Sequence, residues 1–241
     1  MSLSIMRCSL AFLLLSQFAP TVMSESPSSS MTAKVEQSII DDTNAFRKEH
    51  ELPALEPNKE LTKAATEFAK FMAKEDKYGH HADGRTPAKR AKAAGYQYCV
   101  VRENIAYRTN TGDVTVKSLT EVFVDGWIDS PPHRENMLAD YITQTGVAVA
   151  TADDTTYYAV VLFGRPESAS IQLTITNESD QEQTLILESQ ASKDEVSMPP
   201  RGVVTATRCF PATLTLKNVD AELTVSESAE VVIADGKFIQ K

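Results

Sequence analysis

Few residues in this chain could carry acid–base or ligating chemistry. There are four histidines, His50, His80, His81 and His133, and three cysteines, Cys8, Cys99 and Cys209. His133 stands three residues after Ser130, in the run Ser130-Pro131-Pro132-His133. Serine followed by proline is a helix-start signal, so Ser130 reads as an N-cap and Pro131 as the first helical residue. That puts His133 in the first turn, where the positive helix end disfavours imidazolium and keeps the ring neutral, able to ligate a metal. His80 follows a helical stretch ending near Lys77, where basic groups suit the helix dipole. His81 is the neighbour that could exchange roles with it, and His50 reads as surface. Glu103 on its own reads as a carboxylate accepting backbone hydrogen bonds in a loop. A Ser130–His133–Glu103 nucleophilic arrangement is conceivable, but a hydroxyl engaged as a cap is poorly poised to attack.

These residues need elements to hold them. Val35, Ile39, Ile40 and Phe46 recur on one helical face, with Asp42, Arg47 and Lys48 on the other, and Pro53 ends that helix. Asn58 caps a second helix carrying Leu61, Ala64, Ala65, Phe68 and Met72. Thr86, Pro87 and Gly95 punctuate a short third one. A fourth is expected from about Asp113 to Asp129, with Val116, Leu119, Phe123 and Trp127 inward. The period then switches to strands at residues 146–150 and 157–163, apolar at nearly every position, so a small sheet covered on both faces by helices is expected. From Ser168 onward short alternating runs dominate: 171–175, 185–187, 203–206, 214–216, 223–225 and 231–233, with a turn at Asp235-Gly236 before a last strand. This region reads as a small all-β sandwich without histidine or clustered acids.

Charge and targeting signals narrow the function classes. The formal net charge is −9, which repels phosphate backbones and anionic membrane surfaces, so no nucleic-acid partner is expected. Arg7, the apolar run Leu10 to Leu15, and small residues at Val22 and Ser24 have the layout of a signal peptide over residues 1–24. Residues 25–33, rich in Ser, Pro and Glu, read as a flexible leader. The protein is therefore expected to be secreted, extracellular or periplasmic, with no stable membrane anchor. Cleavage would remove Cys8 and leave Cys99 and Cys209, two thiols in an oxidising compartment; their spacing leaves open whether they pair.

Several segments resemble the CAP family of cysteine-rich secretory, antigen-5 and pathogenesis-related proteins (the SCP domain), in its bacterial form. They are Asn44-Ala45-Phe46-Arg47, Leu52-Pro53-Ala54-Leu55, Gly79-His80-His81 through Thr86-Pro87, Arg102-Glu103-Asn104-Ile105-Ala106-Tyr107, and Trp127-Ile128-Asp129-Ser130-Pro131-Pro132-His133-Arg134-Glu135-Asn136-Met137-Leu138. Their order and spacing agree with the helix boundaries. The resemblance implies an α+β chain: an α–β–α sandwich CAP domain over residues 34–166, with the all-β module of residues 169–241 left outside it. It also implies a cleft lined by two histidines and two acids, which in some members hold a divalent metal. Carried over by position, the metal set is His80, Glu103 and His133; the second acid falls on Ser130, and Asp129 is turned about 100° away along the helix. Two imidazoles and a carboxylate suit Zn²⁺ with one open position. The function expected is a non-catalytic extracellular binding module holding a divalent metal or small ligand for an unidentified extracellular partner. The alternatives are a metal-dependent extracellular hydrolase acting on peptide or wall material, and, from the family alone, lipid or sterol carriage.

Overall fold

The computed structural model describes residues 27–109, 114–190 and 192–241. The signal-like segment and Cys8 lie outside them, as does Asp113. The helices are α1 (Pro27–Glu49), α2 (Lys59–Glu75), α3 (Pro87–Ala93), α4 (Val116–Asp129) and α5 (Pro131–Met137). The first four strands are β1 (Glu56–Pro57), β2 (Tyr98–Thr109), β3 (Gln144–Thr151) and β4 (Thr156–Pro166). They form one sheet in the order β1-β3-β4-β2, so β2 is an edge strand.

Side-chain alternation along β4 explains the layering. Tyr157, Ala159, Val161 and Phe163 face a core completed by Val35 and Ile39 of α1 and Leu119, Phe123 and Trp127 of α4. Tyr158, Val160 and Leu162 face the opposite core, with Leu61, Ala65, Phe68 and Met72 of α2 and Ala91 of α3. Both faces are thus covered, which is why the strands lack the polar alternation of a half-exposed sheet. Gly146 on β3 lets α2 press onto the sheet: a Cβ there would overlap the backbone of Leu61 and Thr62.

The expected caps form. Asn58 Oδ1 accepts from the backbone N–H of Glu60 and Leu61, and Thr86 Oγ1 from that of Lys89. Three local expectations change. The leader was expected to be flexible to residue 33, but α1 begins at Pro27 because Met31, one turn before Val35, packs on the core and lengthens the apolar face. Arg47, placed by periodicity on the outer face, is fully buried. Its Nε donates to Pro53 O at 2.9 Å and its Nη1 to Met137 O at 2.7 Å and Ala139 O at 3.0 Å. Carbonyls at and just past the end of α5 lack helical partners, and Arg47 supplies donors to them. Glu103 lies within β2 and not in a loop; the mixed sequence Arg102-Glu103-Asn104 hides the strand because both its faces meet polar partners.

The all-β module adds β5 (Ile171–Asn177), β6 (Gln183–Ser189), β7 (Ser192–Met198), β8 (Val203–Arg208), β9 (Ala212–Leu216), β10 (Glu222–Val225), β11 (Ala229–Ala234) and β12 (Lys237–Gln240). Two four-stranded sheets, β12-β11-β5-β8 and β10-β9-β6-β7, enclose Leu173, Ile175, Leu185, Leu187, Leu214 and Ile233. Asp235 and Gly236 adopt positive φ, 50° and 69°, and turn β11 into β12. The sequence reading missed β7, whose run Ser192-Lys193-Asp194-Glu195 carries charges on an exposed edge. Cys99 in β2 and Cys209 after β8 are joined, with Cα atoms 5.3 Å apart, tying the module to the first sheet across 110 residues. The rings of Tyr141 and Phe210, 4.9 Å between centroids, meet edge to face at the same junction.

Candidate ligand cleft

β2 is a free edge beyond which α4, α5 and the loop after α2 converge, and the expected site residues meet there. The Ile105 carbonyl on that edge accepts from Tyr78 OH at 3.0 Å and from Trp127 Nε1 at 3.2 Å. Asn104, fully buried, points to the other face and donates to the His133 carbonyl at 3.0 Å. Asn136 donates to Asn104 Oδ1 at 2.9 Å and to the Glu103 carbonyl at 3.2 Å. Asn104 and Asn136 therefore dock α5, and with it His133, onto β2. Both lie inside the motifs that carry the family resemblance, yet sequence reasoning assigned them no role. Buried amides with complete hydrogen bonding were the missing pattern.

On the Glu103 face the decisive residue is Arg90, which sequence reasoning also passed over. Both side chains are almost fully buried, 2% and 1% exposed, with Arg90 Nη2 2.6 Å from Glu103 Oε2. Arg90 Nη1 donates to Asp83 Oδ1 at 2.9 Å and to the carbonyls of His80 at 3.0 Å and Arg85 at 2.9 Å. Its guanidinium lies over the Phe68 ring, 3.5 Å from the centroid. One side chain on α3 thereby fixes the loop that carries His80. Burial works against the charge of Asp83, yet hydrogen bonds from Arg85 and the charges of Arg90 and Arg85 outweigh it and hold that carboxyl below its ordinary value.

His80 Nδ1 lies 2.8 Å from Glu103 Oε1. A carboxylate paired with a guanidinium can only accept, so the hydrogen sits on His80 Nδ1. His81 is exposed on the loop, and it is His80 that meets Glu103. His133 Nδ1 lies 2.9 Å from Ser130 Oγ. Ser130 is the N-cap of α5 by position, but its hydroxyl caps no backbone N–H and is spent on this ring. Burial first, and then the neighbouring His80, hold the His133 imidazole below its ordinary pKa, so it is neutral near pH 7. The shift runs in the direction expected from the sequence, with burial and His80 as its causes. His50 is exposed, with Nδ1 2.9 Å from the Phe46 carbonyl.

Between these groups runs a cleft of about 230 Å³ lined by Tyr78, Ile105, Tyr107, Val122, Phe123, Gly126, Trp127, Ser130 and His133. Three of its walls are unusually exposed for apolar side chains: Tyr78 50%, Tyr107 53% and Val122 44%. Tyr78 and Tyr107 meet edge to face at 4.8 Å. Gly126 sits inside α4, where glycine costs about 1 kcal/mol relative to alanine, and a Cβ there would meet nothing within 4 Å. The helix gives up stability where a side chain would narrow the cleft.

Glu103 has both oxygens engaged, one by the Arg90 guanidinium and one by His80 Nδ1, so this carboxylate is not free to ligate a metal directly, whereas the contacts of His80 and His133 are both made through Nδ1. Among the described residues no three His, Cys, Asp or Glu side chains are grouped so that they could hold a metal ion.

Among solved structures, an outer surface protein from Borrelia burgdorferi is 24% identical, with 56% of this chain and 95% of that one covered and a TM-score of 0.49. An extracellular protein containing a SCP domain from Bacillus anthracis is 27% identical, with 59% and 44% covered and a TM-score of 0.45. A cysteine-rich secretory protein from Staphylococcus aureus is 20% identical, with 56% and 39% covered and a TM-score of 0.42. Against the latter two, the chain spans less than half of their length. Among curated proteins there is no match. The family model described as "CAP: Cysteine-rich secretory protein family" matches residues 40–163, just over half of the chain, and the chain belongs to that family.

Proposed function

We propose that this protein is an extracellular, non-catalytic binding module whose cleft takes a small ligand with an apolar body and one polar end. The observation that carries this reading is the convergence of three exposed apolar side chains, Tyr78, Tyr107 and Val122, on a pocket that ends in the Ser130–His133 pair. Exposed aromatic surface costs free energy unless something covers it at least part of the time. At about 230 Å³ the cleft is smaller than the roughly 300–1,000 Å³ of drug-sized sites, so its occupant is a single ring, a side chain or a short acyl segment. Neutral His133 offers that occupant a hydrogen bond without a charge, since burial and His80 disfavour imidazolium.

Hydrolysis is less well supported. The Ser130–His133 contact runs through Nδ1, and no carboxylate among the described residues hydrogen-bonds that ring to orient it as a base. The extracellular assignment rests on the signal-like start, the joined cysteines and the family. No helix among the described residues is long and apolar enough to cross a membrane. The β-module, with an apolar core and charged edges, would present the cleft to a partner or surface.

Trp127 is the only tryptophan and lines the cleft, so its fluorescence reports occupancy. Titration with a panel of small phenols, indoles and short-chain fatty acids is expected to change Trp127 emission saturably for at least one class. Gly126→Leu, which fills the open space on α4, is expected to abolish the change while leaving the far-UV circular dichroism intact. Identical titrations in both proteins would refute the cleft reading.

A further inference from the structure

Where the CAP domain meets the β-module, a cavity of about 510 Å³ lies apart from the cleft, with Asp140, Tyr141 and Arg165 on one side and Phe210 and Ser226 on the other. We propose that this junction is a second binding site, for a small zwitterion with an apolar side chain, a free amino acid or a dipeptide. The inference does not depend on the reading of the cleft given above.

Junctions between folded units are favoured places for small-molecule sites, and this volume falls within their usual range of roughly 300–1,000 Å³. Both units supply walls. Asp140 and Tyr141 follow α5 and Arg165 lies near the end of β4, while Phe210 connects β8 to β9 and Ser226 follows β10. The Cys99–Cys209 bond, next to Phe210 in the chain, ties the two sides together. Opposite charges line the cavity without pairing. Arg165 donates from Nη1 to the Tyr141 carbonyl at 3.2 Å and from Nη2 to the Ala169 carbonyl at 2.7 Å, and its Nε is buried with no partner. Both acceptors are neutral, so the guanidinium keeps its full charge and has donors to spare. The two carbonyls also fix the plane of the fork, so a ligand carboxylate need not order it. Asp140 is exposed. It favours the charge of buried Arg47 through space, yet among the described residues neither Asp140 nor Arg165 takes part in a salt bridge. A ligand with a carboxylate alone would gain from Arg165 and be repelled by Asp140; an ammonium alone would meet the reverse. A zwitterion satisfies both charges. For its side chain, the rings of Tyr141 and Phe210, meeting edge to face at 4.9 Å, provide an apolar wall.

Calorimetric titration of the full chain, disulfide intact, with L-phenylalanine and with the dipeptide alanyl-phenylalanine tests the proposal. At least one of the two is expected to bind saturably. Phenylpropionate, which lacks the ammonium, and phenethylamine, which lacks the carboxylate, are expected to bind about tenfold more weakly or worse, the worth of one charge-assisted hydrogen bond. Asp140→Asn and Arg165→Met are expected to weaken zwitterion binding by a similar factor. Ser226→Trp, which fills the cavity from an exposed position, is expected to abolish it. No saturable heat with either zwitterion would overturn the proposal. So would equal affinity for phenylpropionate, or binding that survives both Asp140→Asn and Ser226→Trp. Should Arg165→Met not fold, those two variants decide by themselves, since both positions are exposed. Zwitterion binding lost in Gly126→Leu but kept in Ser226→Trp would put the ligand in the cleft, overturning this inference and sparing the function proposed above.

Discussion

Between residues 27 and 166 the chain buries Arg47, Arg90, Glu103 and Asn104; in the β-module the buried polar side chain is Asn177. Asn177 is confined to loop keeping: its Nδ2 donates to the carbonyls of Gln181, Met198 and Pro199 at 2.8, 3.0 and 3.1 Å, and its Oδ1 accepts from Ser179. The module carries charges on exposed strand faces, as in the Lys193–Glu188 pair between β7 and β6. In the CAP domain Arg47, Arg90 and Glu103 lie inside, Arg90 paired with Glu103 and Arg47 donating to backbone carbonyls. Burying ionic groups is expensive and adds little net stability. Their concentration around β2 therefore marks where position matters more than stability, while the module resembles a scaffold held by apolar burial.

Several changes would test this contrast directly. Reducing Cys99–Cys209 removes a link across 110 residues, and loop-closure entropy puts the expected loss at about 4–5 kcal/mol; the check is the urea midpoint with and without reductant. A loss that is small, with both regions still unfolding together, would show that the junction is held by packing at Tyr141 and Phe210. Arg47→Met leaves the carbonyls of Pro53, Met137, Ala139 and Ile142 without their donor and should cost on the order of 3 kcal/mol or more, seen as a lowered midpoint of the CAP transition only. Asn177→Ala should cost about 1–3 kcal/mol and act on the module; an equal effect on both regions would deny their separate cores.

Smaller effects bear on the same difference. Gly126→Ala should stabilise the CAP domain by about 1 kcal/mol through helix propensity and weaken fragment binding, a trade with no counterpart in the module. The smallest effect is in pH. The His133 pKa lies below its unfolded value, so the folded state binds fewer protons than the unfolded one in the window between the two. Its contribution to stability is complete above the unfolded pKa of about 6.5 and is lost as pH falls through the folded value. His133→Gln should flatten the midpoint-versus-pH curve in that range, and an unchanged slope would assign the acid sensitivity to other groups.

Much of this was legible in the chain. Three- and four-residue spacing located α2 and most of α1 and α4, and the capping residues Asn58 and Thr86 start their helices through short-range contacts. Local geometry depends on neighbours in sequence, and sequence displays those directly. The motifs identified the CAP domain and brought His80, Glu103 and His133 to attention together. What they could not display was partnership across distance. β2 escaped detection because Glu103 and Asn104 look like loop residues until Arg90 on one face and Asn136 on the other satisfy them. Ser130 looked like a cap until its hydroxyl was found on His133.

The amino-acid order alone determined the helix ends, the apolar stripes, the change to strand periodicity near residue 146 and the family. Tertiary structure decided that Cys99 and Cys209 meet, that Arg47 turns inward, and that Glu103 is held by a guanidinium. The physical reason is range. Caps and amphipathic faces are settled within a few residues. The state of a buried charge depends on whichever side chain the fold delivers to it, here from 13 residues away for Arg90 and 23 for His80.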